Sequence, residues 1–327
     1  MLSKLAKLVE RTTMSEQRLT PNAPLGAESW FGCGGTADIL FQPDDIDDLS
    51  LFLKDTPPEL PVTVIGGLAN TIIRDGGVRG CVVRLGRPFS DIEVRGTRIL
   101  AGAAALNGSV ASAAAKAGIG GLEFLSGIPG TVGGAIRMNA GAYGREVKDA
   151  LVAAFGLTRD GRSEALVTDD LKMSYRYCGA PEGMIFTAAA FEGVRENKDT
   201  VRARLREIKE KRRETQPITE KTGGSTFANP SAEELGAANL PADTRAWQLV
   251  EKVGGRGLAI GGAKISEKHC NFMINTGTAT AADLEDLGEE LISRVKNLCG
   301  ITLHWEIRRI GERQKTQDAP KTPETTG

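Results

Sequence analysis

Between Gly120 and Gly144 the chain carries eight glycines in 25 residues. Each glycine inside a helix or strand costs roughly 0.5–1 kcal/mol relative to alanine, so this stretch excludes a long regular element. The sequence predicts a long connection here. Ordering a connection of that length needs contacts from elsewhere, and such loops often carry function. Further glycines cluster at Gly32/34/35, Gly66/67, Gly76/77/80, Gly223/224 and Gly254 to Gly262. The 40 glycines in 327 residues are not periodic, which excludes a collagen-like chain. Two readings stay open at this point: an ordinary loop-rich enzyme, or backbone that approaches a ligand closely.

A net charge of -1 argues against a dedicated nucleic-acid binder, and 40% apolar residues suffice for real cores. The length suggests two or three domains. No apolar run reaches the ~18 residues of a membrane span. Lys4, Lys7, Glu10 and Arg11 interrupt the apolar residues of the N-terminus, so a short amphipathic helix is expected there rather than a signal peptide. Five widely spaced cysteines without a CxxC fit a reduced, cytoplasmic protein. With only His269 and His304, no metal site is expected.

Strands are expected at Val62–Ile65, Cys81–Leu85 and Met184–Phe191, with hairpins turning at Arg95-Gly96-Thr97 and Asp160-Gly161. Asn107 reads as the cap of a small-residue helix that Gly118 stops. Asp199–Thr215 reads as a solvated helix ended by Gln216-Pro217. Arg245–Val253 and Ala281–Leu298 read as further helices, the latter with Leu284, Leu287, Leu291, Val295 and Leu298 on one stripe. Ile301–Ile310 reads as a closing strand, and the polar residues after it as a disordered tail.

Gly32-Cys33-Gly34-Gly35-Thr36-Ala37 fits a GxGxxA dinucleotide fingerprint, but no proper strand precedes it and Pro43 limits a following helix. Val64 to Thr71 is a better anion site. Backbone N–H groups around Gly66 and Gly67 form a nest to which Asn70 and Thr71 add side-chain hydrogen bonds. A tight structural turn is the alternative.

The run GLEFLSGIPGTVGGA from Gly121, continuing into MNAGAYG from Met138, is specific. It resembles the flavin-binding region of UDP-N-acetylenolpyruvoylglucosamine reductases. Other segments match in order: Ser29-Trp30-Phe31, Arg74 to Gly80, Tyr175-Arg176, Gly224 to Phe227 with Asn229-Pro230, Ser266 to His269 with Asn271-Phe272, and Glu306 with Ile310-Gly311. The resemblance covers about residues 29–311. It departs at Leu68 and Ala69, where the family nest commonly reads glycine and serine, and at Cys178, where a serine is common. No Tyr-bearing insertion follows Cys178, as in the compact subclass.

The resemblance implies an α+β fold: a two-part FAD-binding domain of the vanillyl-alcohol-oxidase (PCMH) type plus a smaller α/β substrate-binding domain. The expected division is a helix over 1–20, FAD-binding subdomains over 21–85 and 86–216, a substrate-binding domain over 217–311 and a disordered tail over 312–327. It implies bound FAD, NADPH as hydride donor, and UDP-N-acetylglucosamine enolpyruvate as substrate, reduced to UDP-N-acetylmuramate for peptidoglycan synthesis. A cytoplasmic monomer with no nucleic-acid or membrane partner is expected. Gly66, Gly67, Asn70, Thr71, Gly127, Ile128, Pro129, Gly130, Gly133, Gly134, Asn139 and Gly141 are the expected cofactor contacts. Tyr175 and Asn229 are expected to bind substrate, with Lys221 and Lys264 as further candidates.

By the same resemblance Arg176 and Glu306 stabilise an enolate, and Ser225 protonates it. Read as a strand, Ser174 to Cys178 turns Arg176 away from both tyrosines. On residue type alone, Ser225 is a turn serine and Glu306 a surface partner of Arg308. Two other functions remain in view: a flavin oxidase of the same broad fold, and a non-catalytic sugar-nucleotide binder.

Overall fold

The computed structural model describes residues 18–314. The helix expected over 1–20 lies outside these residues up to position 17, and Leu19 and Thr20 are already in a strand.

The first sheet is built from β1 (Leu19–Ala23), β2 (Ala37–Phe41), β3 (Val62–Ile65) and, after the short strand β4 (Thr71–Ile73), β5 (Val78–Arg84), in the order β1-β2-β5-β3. β2 and β3 both run parallel to β5. Helix α1 (Ile46–Asp55) connects them. Its N-terminus is capped by Asp45, whose carboxylate accepts the Asp48 N–H at 2.8 Å. Its apolar face lays Phe52 on Phe41, ring centroids 4.2 Å apart. The GxGxxA segment leads into strand β2, not into a helix, so it lacks the strand-turn-helix context of a dinucleotide fingerprint.

The second sheet is antiparallel and holds β6 (Ile92–Arg95), β7 (Arg98–Gly102), β8 (Leu151–Leu157), β9 (Ser163–Val167) and β10 (Ile185–Glu192), in the order β9-β8-β10-β7-β6. Both expected hairpins are present, with Gly96 and Gly161 at positive φ. Helices α2 (Asn107–Ala117), α3 (Val132–Arg137) and α4 (Lys198–Thr215) follow in chain order. α2 buries Val110, Ala111, Ala114 and Ala115, and small side chains there allow close packing. Gly118 ends it in the left-handed conformation, as expected. Asn107 is inside the helix rather than at its cap: its fully buried amide points to Ile128 O and Thr131 O.

The C-terminal layer contains β11 (Lys221–Thr222), helix α5 (Ala246–Lys252), β12 (Ala259–Ile260), β13 (Ala263–Ile265), β14 (Met273–Asn275) and helix α6 (Ala281–Cys299). Its strands are ordered β11-β14-β13-β12. α6 buries Leu284, Leu287, Leu291 and Val295 in a core shared with Phe31 and Ile72 from the N-terminal part. Leu298 does not complete this stripe. It is 62% exposed, and Cys299, four residues after Val295, faces the core instead.

Only Arg308–Ile310 of the expected closing strand is regular; this strand, β15, pairs in parallel with β4. Glu312 lies in the expected tail, yet its N–H donates to Gly77 O at 2.9 Å. Among the described residues no helix is long and apolar enough to cross a membrane.

Candidate active site

A cavity of about 990 Å³ lies where the three layers meet. Its wall runs from Val62 and Val64 in β3, past Phe186 in β10, to Ser225 and Glu306. The expected site residues line it except Asn139, Tyr175 and Asn229 and the further candidates Lys221 and Lys264.

The Gly66–Ala69 nest forms one wall, with Asn70 and Thr71 next along it. Leu68 adopts φ +49°, a left-handed conformation that costs a leucine roughly 1–2 kcal/mol. Its side chain is buried in the core under the first sheet, which holds the conformation without a glycine. The N–H groups of Gly67, Leu68 and Ala69 donate to no protein acceptor among the described residues. They remain free for an anion, as a nest requires.

The expected glycine-rich connection is not one long loop. It folds into a 3₁₀ turn over Glu123–Gly127 and then α3. Several of its glycines answer to protein packing rather than to a ligand. A Cβ on Gly127 would meet the Tyr143 ring at 2.5 Å, one on Gly133 would meet Ala103 Cβ at 3.1 Å, and one on Gly141 would meet Arg145 O at 2.8 Å. Gly134 differs, because a Cβ there would meet nothing closer than Thr131 Oγ1 at 3.6 Å. Free N–H donors on one wall and an uncrowded glycine on the other fit a bound dinucleotide.

Asn139 is not a cavity residue. It is fully buried, at φ +38°. Its Nδ2 donates to Ser174 O at 2.9 Å and Glu146 Oε2 at 3.0 Å, and its Oδ1 accepts the Lys148 N–H at 3.0 Å. Every polar atom of the amide is thus committed to protein, which corrects its expected cofactor contact. It anchors the turn that carries Arg176.

That turn also differs from the expected strand. Ser174 and Tyr177 exchange N–H···O bonds of 3.1 and 3.0 Å around Tyr175 and Arg176, and Arg176 takes φ +55°. The tight reversal points Arg176 into the cavity, where its Nε donates to Glu306 Oε1 at 2.8 Å. Glu306 therefore pairs with Arg176, not with Arg308. Its side chain is only 10% exposed. Burial pushes its carboxyl above the usual range, against the pull of the Arg176 guanidinium.

Tyr175 and Asn229 meet each other outside the cavity wall. The Asn229 N–H donates to the Tyr175 hydroxyl at 3.4 Å, and Asn229 Oδ1 accepts the Ala246 N–H at 3.1 Å. Asn229 thus serves the start of α5 from a place off the cavity wall. Lys221 and Lys264 also stand off the wall, and Lys264 Nζ pairs with Glu267 at 2.9 Å.

Ser225 lies between two pinned neighbours. Thr226 N–H donates to Asn271 O, and Thr226 O accepts the Glu306 N–H, both at 2.8 Å. Asn271 also brackets Phe227 with both ends of its amide, which gives the Asn271-Phe272 motif a structural role. No described residue hydrogen-bonds the Ser225 hydroxyl, so it is free to act on a ligand in the cavity it lines.

Sequence reading missed one cationic part of the wall. Lys211, Arg212 and Thr215 at the end of α4 line the cavity beside Arg159 and Tyr143, so this helix is not simply solvated. The signal was present in the one-turn spacing of Lys211 and Thr215, but interleaved glutamates hid which face is covered. Burial lowers the pKa of Arg212 from its ordinary value. Among the thiols, burial pushes Cys33 up to about 11 and Cys81 up to about 12, far from nucleophilic poise.

Cavity, nest and sheets define a flavoprotein of the FAD-binding fold: an FAD-binding domain profile matches residues 37–165. A second profile, for the C-terminal domain of UDP-N-acetylenolpyruvoylglucosamine reductase, matches residues 216–310. The chain is 50% identical over 310 residues to the UDP-N-acetylenolpyruvoylglucosamine reductase of Parvibaculum lavamentivorans, covering 95% of this chain and 96% of that one. It is 52% identical to the one from Phenylobacterium zucineum, covering 90% and 95%. The crystal structure of the Thermus caldophilus reductase superposes with a TM-score of 0.74 at 31% identity, covering 88% of this chain and 98% of that one. The chain belongs to the UDP-N-acetylenolpyruvoylglucosamine reductase family.

Proposed function

We propose that this chain reduces UDP-N-acetylglucosamine enolpyruvate to UDP-N-acetylmuramate with NADPH, as a cytoplasmic monomer in peptidoglycan precursor synthesis. The observation that carries this reading is the half-buried Arg176–Glu306 pair in one cavity with Ser225, in a member of this family. FAD, when bound, would supply the two-electron hydride chemistry that links NADPH to the β-carbon of the enolpyruvyl group. The Gly66–Ala69 nest and the Gly127–Gly134 segment are the residues that would hold it.

The remaining work falls to side chains. Hydride addition to the β-carbon moves negative charge onto the substrate carboxylate as an enediolate. Arg176 holds a fixed guanidinium at the cavity wall to meet that charge. Glu306, whose carboxyl burial pushes above its usual range, stands against Arg176 at that point and holds the guanidinium through its Nε. Ser225 delivers the proton to the α-carbon, completing the addition of one hydride and one proton across the double bond. Arg159, Lys211 and Arg212 bring positive charge to the same cavity, which suits a diphosphate. The division at 21–85, 86–216 and 217–311 remains our proposed domain scheme.

The test is NADPH oxidation by the purified yellow protein with and without the enolpyruvyl nucleotide. Oxidation that is independent of this substrate would defeat the reading. Oxygen consumption on an alcohol without NADPH would favour an oxidase, and a colourless protein that binds UDP-sugars would favour a simple binder.

A further inference from the structure

Asn70 was expected at the cofactor phosphates, but its side chain is committed elsewhere. Its Oδ1 accepts the Gly224 N–H at 3.1 Å, and its Nδ2 donates to Glu306 O at 3.4 Å. Its own carbonyl accepts the Arg308 N–H at 3.0 Å. The residue that follows the cofactor nest therefore touches the residue before Ser225, the backbone of Glu306, and the strand after Glu306.

The fit is close on the partner side. A Cβ on Gly223 would lie 3.4 Å from Asn70 Oδ1, and one on Gly224 would lie 3.2 Å from the Asn70 amide. The glycine pair thus keeps the serine loop within reach of this amide. On the far side of Ser225, the Thr226–Glu306 hydrogen bond closes the arrangement. The serine backbone is held at one end by Asn70 and at the other by Glu306, and Asn70 holds Glu306 as well.

We infer that Asn70 is a positioning residue that sets the Ser225 hydroxyl against Glu306 for the protonation step, rather than a contact to the cofactor. The inference rests on the proposed reaction. Displacement of a catalytic group by about 1 Å can slow a reaction by on the order of 100-fold, so the amide needs no contact with substrate to matter. A loss of the bracket acts on the substrate half-reaction, because the held backbones belong to the Ser225 loop and to Glu306 and not to the nest donors at Gly67, Leu68 and Ala69.

The test compares the wild-type holoenzyme with Asn70→Ala and Asn70→Asp. In Asn70→Ala, FAD retained per chain and the rate of flavin reduction by NADPH should stay within about 3-fold of wild type. Reoxidation of the reduced enzyme by the enolpyruvyl nucleotide should slow by about 10–100-fold per bound flavin, with a larger solvent isotope effect. Amide exchange at Gly224 should rise in Asn70→Ala, a readout independent of turnover. Asn70→Asp keeps the acceptor for Gly224 N–H and should restore that protection and part of the reoxidation rate. It also serves if the alanine variant fails to fold. Unchanged reoxidation per bound flavin, or equal slowing of both half-reactions, overturns the inference. Failure of the wild-type enzyme to reoxidise on the nucleotide instead overturns the proposed reaction, and the Gly224 exchange result still reports on the bracket.

Discussion

Arg176 and Glu306 stand 130 residues apart in the chain and meet through a 2.8 Å hydrogen bond inside the cavity. Neither is placed by a regular element. Arg176 sits on a left-handed turn residue, and Glu306 lies just before β15. The pair depends on both local shapes.

Arg176→Lys should therefore fail at the substrate step. A lysine presents a point ammonium on a flexible stem and cannot reproduce a planar guanidinium fixed from Nε. Reoxidation of reduced flavin by substrate should fall by about 10²–10³-fold, with NADPH reduction of the flavin unchanged. Stopped-flow absorbance separates the two half-reactions, and normal reoxidation would count against the enediolate role.

Ser225→Ala should separate the same two steps by another route. Removing the hydroxyl leaves the cavity wall and its backbone bonds in place. Substrate turnover should slow by roughly 10²–10⁴-fold while flavin reduction is retained. If the reduced variant is reoxidised at the wild-type rate, the proton comes from elsewhere.

Glu306 makes stability depend on pH in a defined sense. Its folded carboxyl holds a proton more tightly than the unfolded one, so the folded state binds more protons just above the ordinary carboxylate range. Its stabilising contribution is present below that range and is lost as pH rises through the raised folded value. Glu306→Gln mimics the protonated form and removes the dependence. Urea midpoints measured from pH 4 to 7 should shift progressively in favour of the variant, and the opposite slope would refute the assignment.

Leu68→Gly sets two effects against each other. Glycine relieves roughly 1–2 kcal/mol of left-handed strain, but burial of a leucine is worth about 2–3 kcal/mol and its removal opens a cavity. Leu68 is 5% exposed, so burial should win. A net loss of about 1–2 kcal/mol is expected in urea unfolding of the FAD-free protein. A gain would mean that the core beneath the nest repacks.

Asn139→Ala should destabilise the protein by about 1–3 kcal/mol, because it removes a fully buried amide that holds the Ser174 carbonyl and the Lys148 N–H. It should also loosen the 174–177 turn, read as faster amide exchange at Tyr177. A stable variant with normal exchange but weaker FAD retention would restore the residue to the cofactor site.

Much of this was legible in the chain. The hairpins at Gly96 and Gly161 and the end of α2 at Gly118 follow from glycine at positive φ. The flavin-loop motif pointed to the family, and its neighbours do line the cavity. What was not legible has a common physical cause. Arg176, Asn139 and Leu68 adopt positive φ without being glycine, and only tertiary contacts hold them there. The Ser174–Cys178 string therefore read as a strand. Asn70 and Asn139 read as cofactor contacts until the partners that their amides hold in the fold are in place. Leu298 and Cys299 lie three and four residues after Val295, and periodicity alone does not choose between those neighbours.

The parallel pairing of β4 with β15 has a consequence for how the protein is made. β4 ends at Ile73 and β15 starts at Arg308, 235 residues later. Translation at about 5–20 residues per second separates their emergence by roughly 10–50 s. Throughout that interval the nascent chain holds the nest but lacks Glu306 and the wall formed by Arg308, Arg309 and Ile310. The cavity closes only when β15 docks on β4, so until then the nascent chain has no finished site to load.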